Sequence, residues 1–238
     1  MKIGKINCGD WAPHLEPFVT KKQFDNIFLQ LQKISRNGSK IVPTSANLFR
    51  PFRECNYDDL KVVILVDGPY NTIKNNKVVA DGLAFSCAET NVLEKELEIW
   101  YDGIERDVFG GLNLDMSLSC DLSQLASQGV LLLNSGFTSV VGGDTPHYDI
   151  WGPFLTFLYF QVLNTYPAPL AFVFIGEHAQ LYEKYIFPMQ HFTISVEHPV
   201  EATKRFKNWD HQNLFTKVNK FLLKARNESI EWSTNLVY

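Results

Sequence analysis

The chain has 238 residues, 45% of them hydrophobic, and its 22 Lys and Arg stand against 26 Asp and Glu for a formal net charge of −4. That size suits one globular domain over residues 1–238 with a substantial core, and no uncharged apolar run approaches the ~18–20 residues needed to cross a bilayer. The acidic total argues against binding nucleic acid through bulk charge, and the first ten residues lack the basic start and apolar stretch of a secretion signal, so a soluble, intracellular protein without a membrane partner is expected.

In chain order, Phe24, Ile27, Phe28 and Leu31 recur at helical intervals and predict an amphipathic helix over 18–34. The run Lys61-Val62-Val63-Ile64-Leu65-Val66 is short, apolar and β-branched, and enters Asp67-Gly68-Pro69-Tyr70, where a strand must stop. It predicts a buried parallel strand that delivers a loop. Runs of the same kind occupy 129–134 and 170–176, with a weaker one at 192–196 before Glu197-His198-Pro199; helical patterns over 151–163, 178–185 and 213–225 separate or follow them. This alternation predicts an α/β fold, a three-layer α/β/α arrangement around a central, mostly parallel four-stranded sheet. Ligands of such sheets lie beyond the carboxyl ends of the strands, which here carry Asp67, Asn134, Gly176 and His198.

No repeat, low-complexity tract or linker divides the chain. Cys8, Cys55, Cys87 and Cys120 lack the short spacings of a zinc site or disulfide framework, so reduced structural thiols are expected, with no metal and no cofactor. Two basic clusters stand out, Lys204, Arg205 and Lys207, and Lys217, Lys220, Lys224 and Arg226. The second has the spacing of a solvated helix face.

Five ordered segments resemble those of family-1 uracil-DNA glycosylases across nearly the whole chain. Residues 61–71 resemble the family's KVVILGQDPYH, and Gly82-Leu83-Ala84-Phe85-Ser86 matches GLAFS. Residues 125–134 resemble WAxQGVLLLN, residues 174–180 resemble LWGxxAQ, and His198-Pro199 opens the counterpart of HPSPLS. The resemblance implies a uracil-DNA glycosylase-like fold and a pocket for a base flipped out of DNA, single- or double-stranded. Phe85 would stack on the base, Asn134 would pair with the uracil edge, and Tyr70 would fill the space of a thymine methyl. His198 would donate to the oxygen that gains charge as the glycosidic bond breaks. His147, which matches the histidine of the family's later Ser-His pair, is a candidate DNA contact with Thr203, Lys204 and Arg205. Taken singly, each pocket residue also suits a blander place: Phe85 or Tyr70 in the core, Asn134 capping its strand, His198 in a loop.

The departures bear on activity. Gly68 stands where the family's water-activating aspartate would be, and Asp67 takes the preceding glutamine position. Gly68 offers no acid or base. Adjacent residues of an extended segment point to opposite sides, so Asp67 is expected to aim away from the lost carboxylate unless the loop is rearranged. Residues 87–98 lack the family's PPSL and carry Glu89, Glu94, Glu96 and Glu98, read as an acidic loop. HPSPLS has become His198-Pro199-Val200-Glu201-Ala202-Thr203, in which Glu201 repels phosphate and Ala202 is a poor wedge. Asn71 replaces the histidine of PYH, and the loop 71–81 is longer than the family's. Asp144 and Asp149 qualify as displaced bases only if their loop folds over the pocket.

The expectation is a family protein that recognises uracil in DNA with weak or lost glycosylase activity. Two alternatives stand beside it: an active glycosylase of base excision repair whose water is served by a displaced group such as Asp67, and a non-enzymatic module that binds a protein partner on the same fold.

Overall fold

Uninterrupted runs of Val, Ile, Leu and Phe form stable strands only where both strand faces are covered. The computed structural model describes residues 7–112, 118–206 and 208–233. Its elements in order are α1 (Ala12–Val19), α2 (Lys22–Arg36), β1 (Ile41–Val42), α3 (Arg50–Glu54), β2 (Val62–Val66), β3 (Ile73–Lys74), β4 (Lys77–Val78), α4 (Lys95–Val108), α5 (Ser123–Ala126), β5 (Val130–Asn134), β6 (Ser139–Val140), α6 (Tyr148–Phe157), β7 (Ala171–Ile175), α7 (Glu177–Gln180), β8 (Phe192–Val196), α8 (Pro199–Arg205) and α9 (Leu214–Arg226).

The central sheet is fully parallel, in the order β5-β2-β7-β8. Its first strand, β2, lies between the second and third, so connections leave it toward opposite edges and open a crevice at its carboxyl end. Side-chain alternation sorts the sheet into two buried cores. Val63, Leu65, Leu131, Leu133, Phe172 and Phe174 face a layer holding Leu15, Phe24, Trp151 and Phe154, from α1, α2 and α6. Val62, Ile64, Val66, Leu132, Val173 and Ile175 face Trp100, Phe215 and Val218, from α4 and α9. The expected α/β/α arrangement around a four-stranded sheet is present.

Several boundaries differ. The helix expected over 18–34 is two helices, because Lys21 is extended (ψ 153°) and breaks the hydrogen-bonded run between α1 and α2. The helix expected from Trp151 starts at Tyr148 and continues past Phe157 into a wider π-type turn, Leu158–Leu163. The stretch 178–185 is one turn of α7 and a separate tight turn, Glu183–Tyr185. The largest correction concerns the acidic segment: α4 claims its end. Glu96 and Glu98 lie in the first turn, where carboxylates favour the positive end of a helix, while Leu97, Trp100 and Ile104 anchor the inner face. Around it, the long loop 71–81 folds into the β3–β4 hairpin, with Asn75 and Asn76 in the left-handed conformation its turn requires. All four cysteines are buried thiols, and among the described residues no helix is long and apolar enough to cross a membrane.

Candidate active site

The exits of β2 and β5 are tied together. Ser135 donates from its backbone to Val66 (2.7 Å) and from its hydroxyl to the Asp67 carbonyl (2.6 Å), and the Gly136 N–H reaches the same carbonyl at 3.2 Å. This brings Asn134, paired in register with Val66, to the floor of the crevice. Asn134 is 5% exposed, and its Oδ1 has no hydrogen-bond partner among the described residues. Buried polar atoms are nearly always paired, so this orphan, in register with the cavity-lining Val66, makes Asn134 a candidate acceptor, although Asn134 itself is not among the residues that line the cavity.

That cavity, about 430 Å³, is lined by Val66, Gly68, Tyr70, Phe85 and His198, among others. The loop holding Phe85 is built around Asp81, which is inaccessible to solvent. The Asp81 carboxylate accepts from the backbone of Leu83 (3.1 Å) and Ala88 (3.0 Å) and from the Ser86 hydroxyl (2.5 Å), and pairs with Arg50 at 2.8 Å. Gly82 has φ +103°, and a Cβ there would lie 2.1 Å from the Asn47 carbonyl oxygen, so only glycine fits. Phe85 is held at φ +64°, a strained conformation for a bulky residue that persists only where the surroundings over-determine it. Its ring lies 5.3 Å from Trp100 and 6.3 Å from His198, and its carbonyl accepts the Tyr70 hydroxyl at 3.1 Å. Burial raises the Tyr70 phenol well above its usual range, so it stays a neutral donor.

His198 caps α8, and burial depresses its pKa against weaker opposing pulls from Glu96, Asp67 and Glu201. It is therefore a neutral imidazole at neutral pH. Burial likewise lowers His147, His191 and His211. Below the ordinary histidine value near 6.5 the unfolded chain takes up more protons than the folded one, so these four groups contribute stability that is present above that pH and lost as pH falls through the folded values. A melting temperature roughly 3–5 °C lower at pH 5.5 than at pH 7.5 is expected in a calorimetric scan; an unchanged or higher value at pH 5.5 would contradict it.

Asp67 and Gly68 part company. The Asp67 carboxylate accepts the Ala179 N–H at 2.9 Å and lies so close to Gly176 that a Cβ there would meet it at 2.3 Å. It is committed to the start of α7, and burial raises its pKa. Gly68 instead faces the loop before α6, where Pro146 packs on it: a Cβ on Gly68 would lie 2.3 Å from the Pro146 Cγ. That loop does fold over the cavity. Asn71 grips it by donating to the Gly143 carbonyl (2.5 Å) and accepting the Gly142 N–H (2.8 Å), which places Asp144 at the cavity lining; Asp144 and Asp149 are both exposed, and Asp149 does not line the cavity. The sequence offered no sign of this grip beyond an asparagine in place of histidine.

Glu94, Glu96, Asp144 and Glu201 also line the cavity; Lys74 pairs with Glu94 and Lys204 with Glu201, which leaves Glu96 and Asp144 as its acids without an ion pair among the described residues. Of the candidate DNA contacts, Lys204 and Arg205 are exposed and each meets an acid on the surface, a pairing that is worth little in water. Lys204 pairs with Glu201 at 2.5 Å and Arg205 with Glu197 at 2.7 Å, while the Thr203 hydroxyl bonds back to Val200. His147 Nδ1 is 2.8 Å from the Thr138 hydroxyl, which also accepts from Trp151. Ala202 is 1% exposed and packs inward, so it is core rather than a wedge. Lys207 lies outside the described residues, and Lys217, Lys220 and Lys224 form an exposed helix face.

No protein-family model matches the chain. Among curated proteins, it is 31% identical over 211 residues to the uracil-DNA glycosylase of Blochmanniella floridana, covering 88% of this chain and 91% of that one. The uracil-DNA glycosylase of Bacillus cytotoxicus is 30% identical over 230 residues, 96% and 97% of the two chains, and that of Haemophilus influenzae is 30% identical over 225 residues, 94% and 98%. Among solved structures, the mimivirus uracil-DNA glycosylase superposes with a TM-score of 0.80 at 22% identity, over 94% of this chain and 86% of that one; a mimivirus UNG variant in complex with UGI reaches 0.82 at 24%, over 96% and 91%.

Proposed function

The chain belongs to the uracil-DNA glycosylase family, and from that premise we propose that it recognises uracil in DNA while cleaving the glycosidic bond weakly or not at all. The observation that carries this is a cavity lined by Phe85, Tyr70, His198 and Gly68, which brings no carboxylate, with the buried, unpaired Asn134 Oδ1 at the adjoining strand end, in register with the cavity-lining Val66. An amide at the base edge, an aromatic face, a phenol wall and a neutral imidazole suffice to select a flipped uracil. Activating water requires a positioned base, and Asp67, though it also lines the cavity, gives a carboxylate oxygen to the Ala179 N–H. Glu96 and Asp144 at the cavity and the inward Ala202 disfavour prying open a duplex, so uracil in single-stranded DNA is the preferred ligand, and the protein acts inside the cell as a reader or shield of uracils.

Fluorescence titration of single-stranded oligonucleotides carrying one uracil or one thymine tests this. Tighter binding of the uracil strand is expected, and Asn134→Ala should erase the preference, costing about 10- to 100-fold in affinity because paired polar contacts are lost in a buried site. Equal affinity of the wild type for the two strands refutes the proposal.

A second reading, residual hydrolysis with Asp144 as the base, is favoured by the grip of Asn71 on the loop that carries it. Residual uracil release abolished by Asp144→Ala and untouched by Asp67→Asn would establish it.

A further inference from the structure

We propose that Pro146 is the residue that shuts the water-activating position, so that Gly68, Gly136 and Pro146 form one fitted unit and a carboxylate at residue 68 cannot be accommodated until Pro146 is removed. This rests on the uracil-pocket reading above for its catalytic meaning, but its geometry stands alone. A Cβ built on Gly68 would lie 2.3 Å from Pro146 Cγ, 2.9 Å from its Cβ and 3.7 Å from its Cδ, and all three of its nearest neighbours are atoms of that one ring. On the other side, a Cβ on Gly136 would lie 2.5 Å from Pro146 Cβ and 3.2 Å from the His147 nitrogen.

A flexible side chain would rotate away from such an approach. The proline ring is closed onto its own backbone and can only pucker, which shifts Cγ but leaves Cβ near its place, 2.9 Å from a Cβ on Gly68. The backbone around it is also pinned: His147 N–H donates to the Thr138 carbonyl (2.9 Å) and Tyr148 N–H to the Pro146 carbonyl (2.8 Å). Pro146 therefore sits wedged between two positions that only glycine can occupy, one of them the site of the missing aspartate. The loss of the base and the filling of its space are a single packing arrangement, and restoring the aspartate by itself would overpack the loop.

The experiment uses four proteins: wild type, Gly68→Asp, Pro146→Gly and the double variant. Melting temperature, binding of a uracil-containing single strand and single-turnover uracil release are measured for each. Gly68→Asp is expected to lower the melting temperature by roughly 5 °C or more, and in the Pro146→Gly background to cost much less. Uracil release is expected to rise at least ~10²-fold over wild type in the double variant and in neither single one. Additive melting shifts overturn the proposal, as does Gly68→Asp releasing uracil as fast as the double variant. A double variant that binds uracil strands but releases no faster than wild type overturns the assignment of this space to the attacking water. Non-additive melting shifts without uracil binding by any of the four support the fitted unit and refute the uracil-pocket reading instead.

Discussion

Side by side with the Haemophilus influenzae relative in a single-turnover assay on uracil-containing single-stranded DNA, this chain is expected to release uracil about 10²- to 10⁴-fold more slowly, the range commonly lost with a positioned general base. The deficit comes from one step. On the proposed reading a neutral His198 would still stabilise charge developing on the departing base, so some rate enhancement is expected to survive. By the same reading nothing at Gly68 orients or deprotonates water, and Asp67, which also lines the cavity, would not replace it because one carboxylate oxygen is held by the Ala179 N–H beside Gly176. Asp67→Asn should accordingly leave whatever release remains within about twofold. A wild-type rate within tenfold of the relative's would refute the account of the site as chemically impaired.

The second large effect is on folding. Arg50→Met is expected to destabilise the protein by about 3–5 kcal/mol, because it strips the one cation that, among the described residues, pairs with a fully buried carboxylate. Asp81 is inaccessible to solvent, and burial already raises its pKa despite Arg50 and three hydrogen-bond donors. The same guanidinium reaches Asp121 at 2.8 Å and, within its own helix, Glu54 at 3.2 Å, so its removal also frees the loop before α5 that packs on the Phe85 segment. A fall in melting temperature of roughly 10 °C should result, with weaker uracil binding as Phe85 relaxes from its left-handed conformation. Lys74→Met, which breaks a more exposed pair with Glu94, should cost under about 1 kcal/mol. If the two substitutions cost the same, the buried anchor is not what holds the loop.

How much of this was legible beforehand differs by element. The four strands were readable because a run such as Val62–Val66 is apolar at every position, which only a doubly covered strand tolerates. That Tyr70, Phe85 and His198 line one cavity was readable from the strand ends and from their order along the chain, while Asn134 lies at the adjoining strand end, outside the residues that line it. The end of the acidic segment was misread as loop, because the inner residues Leu97, Trp100 and Ile104 were outweighed by the run of glutamates beside them.

The sequence alone determined the layered α/β fold, the family and the absence of a carboxylate at residue 68, since each depends on residue type and local periodicity. Tertiary structure alone decided where Asp67 points, that Asn71 folds the Asp144 loop over the cavity, that Lys204 and Arg205 are paired with acids, and that Pro146 fills the space above Gly68. Those facts depend on which atoms from distant segments share the same few ångströms, and local pattern carries no information about that until the chain has closed.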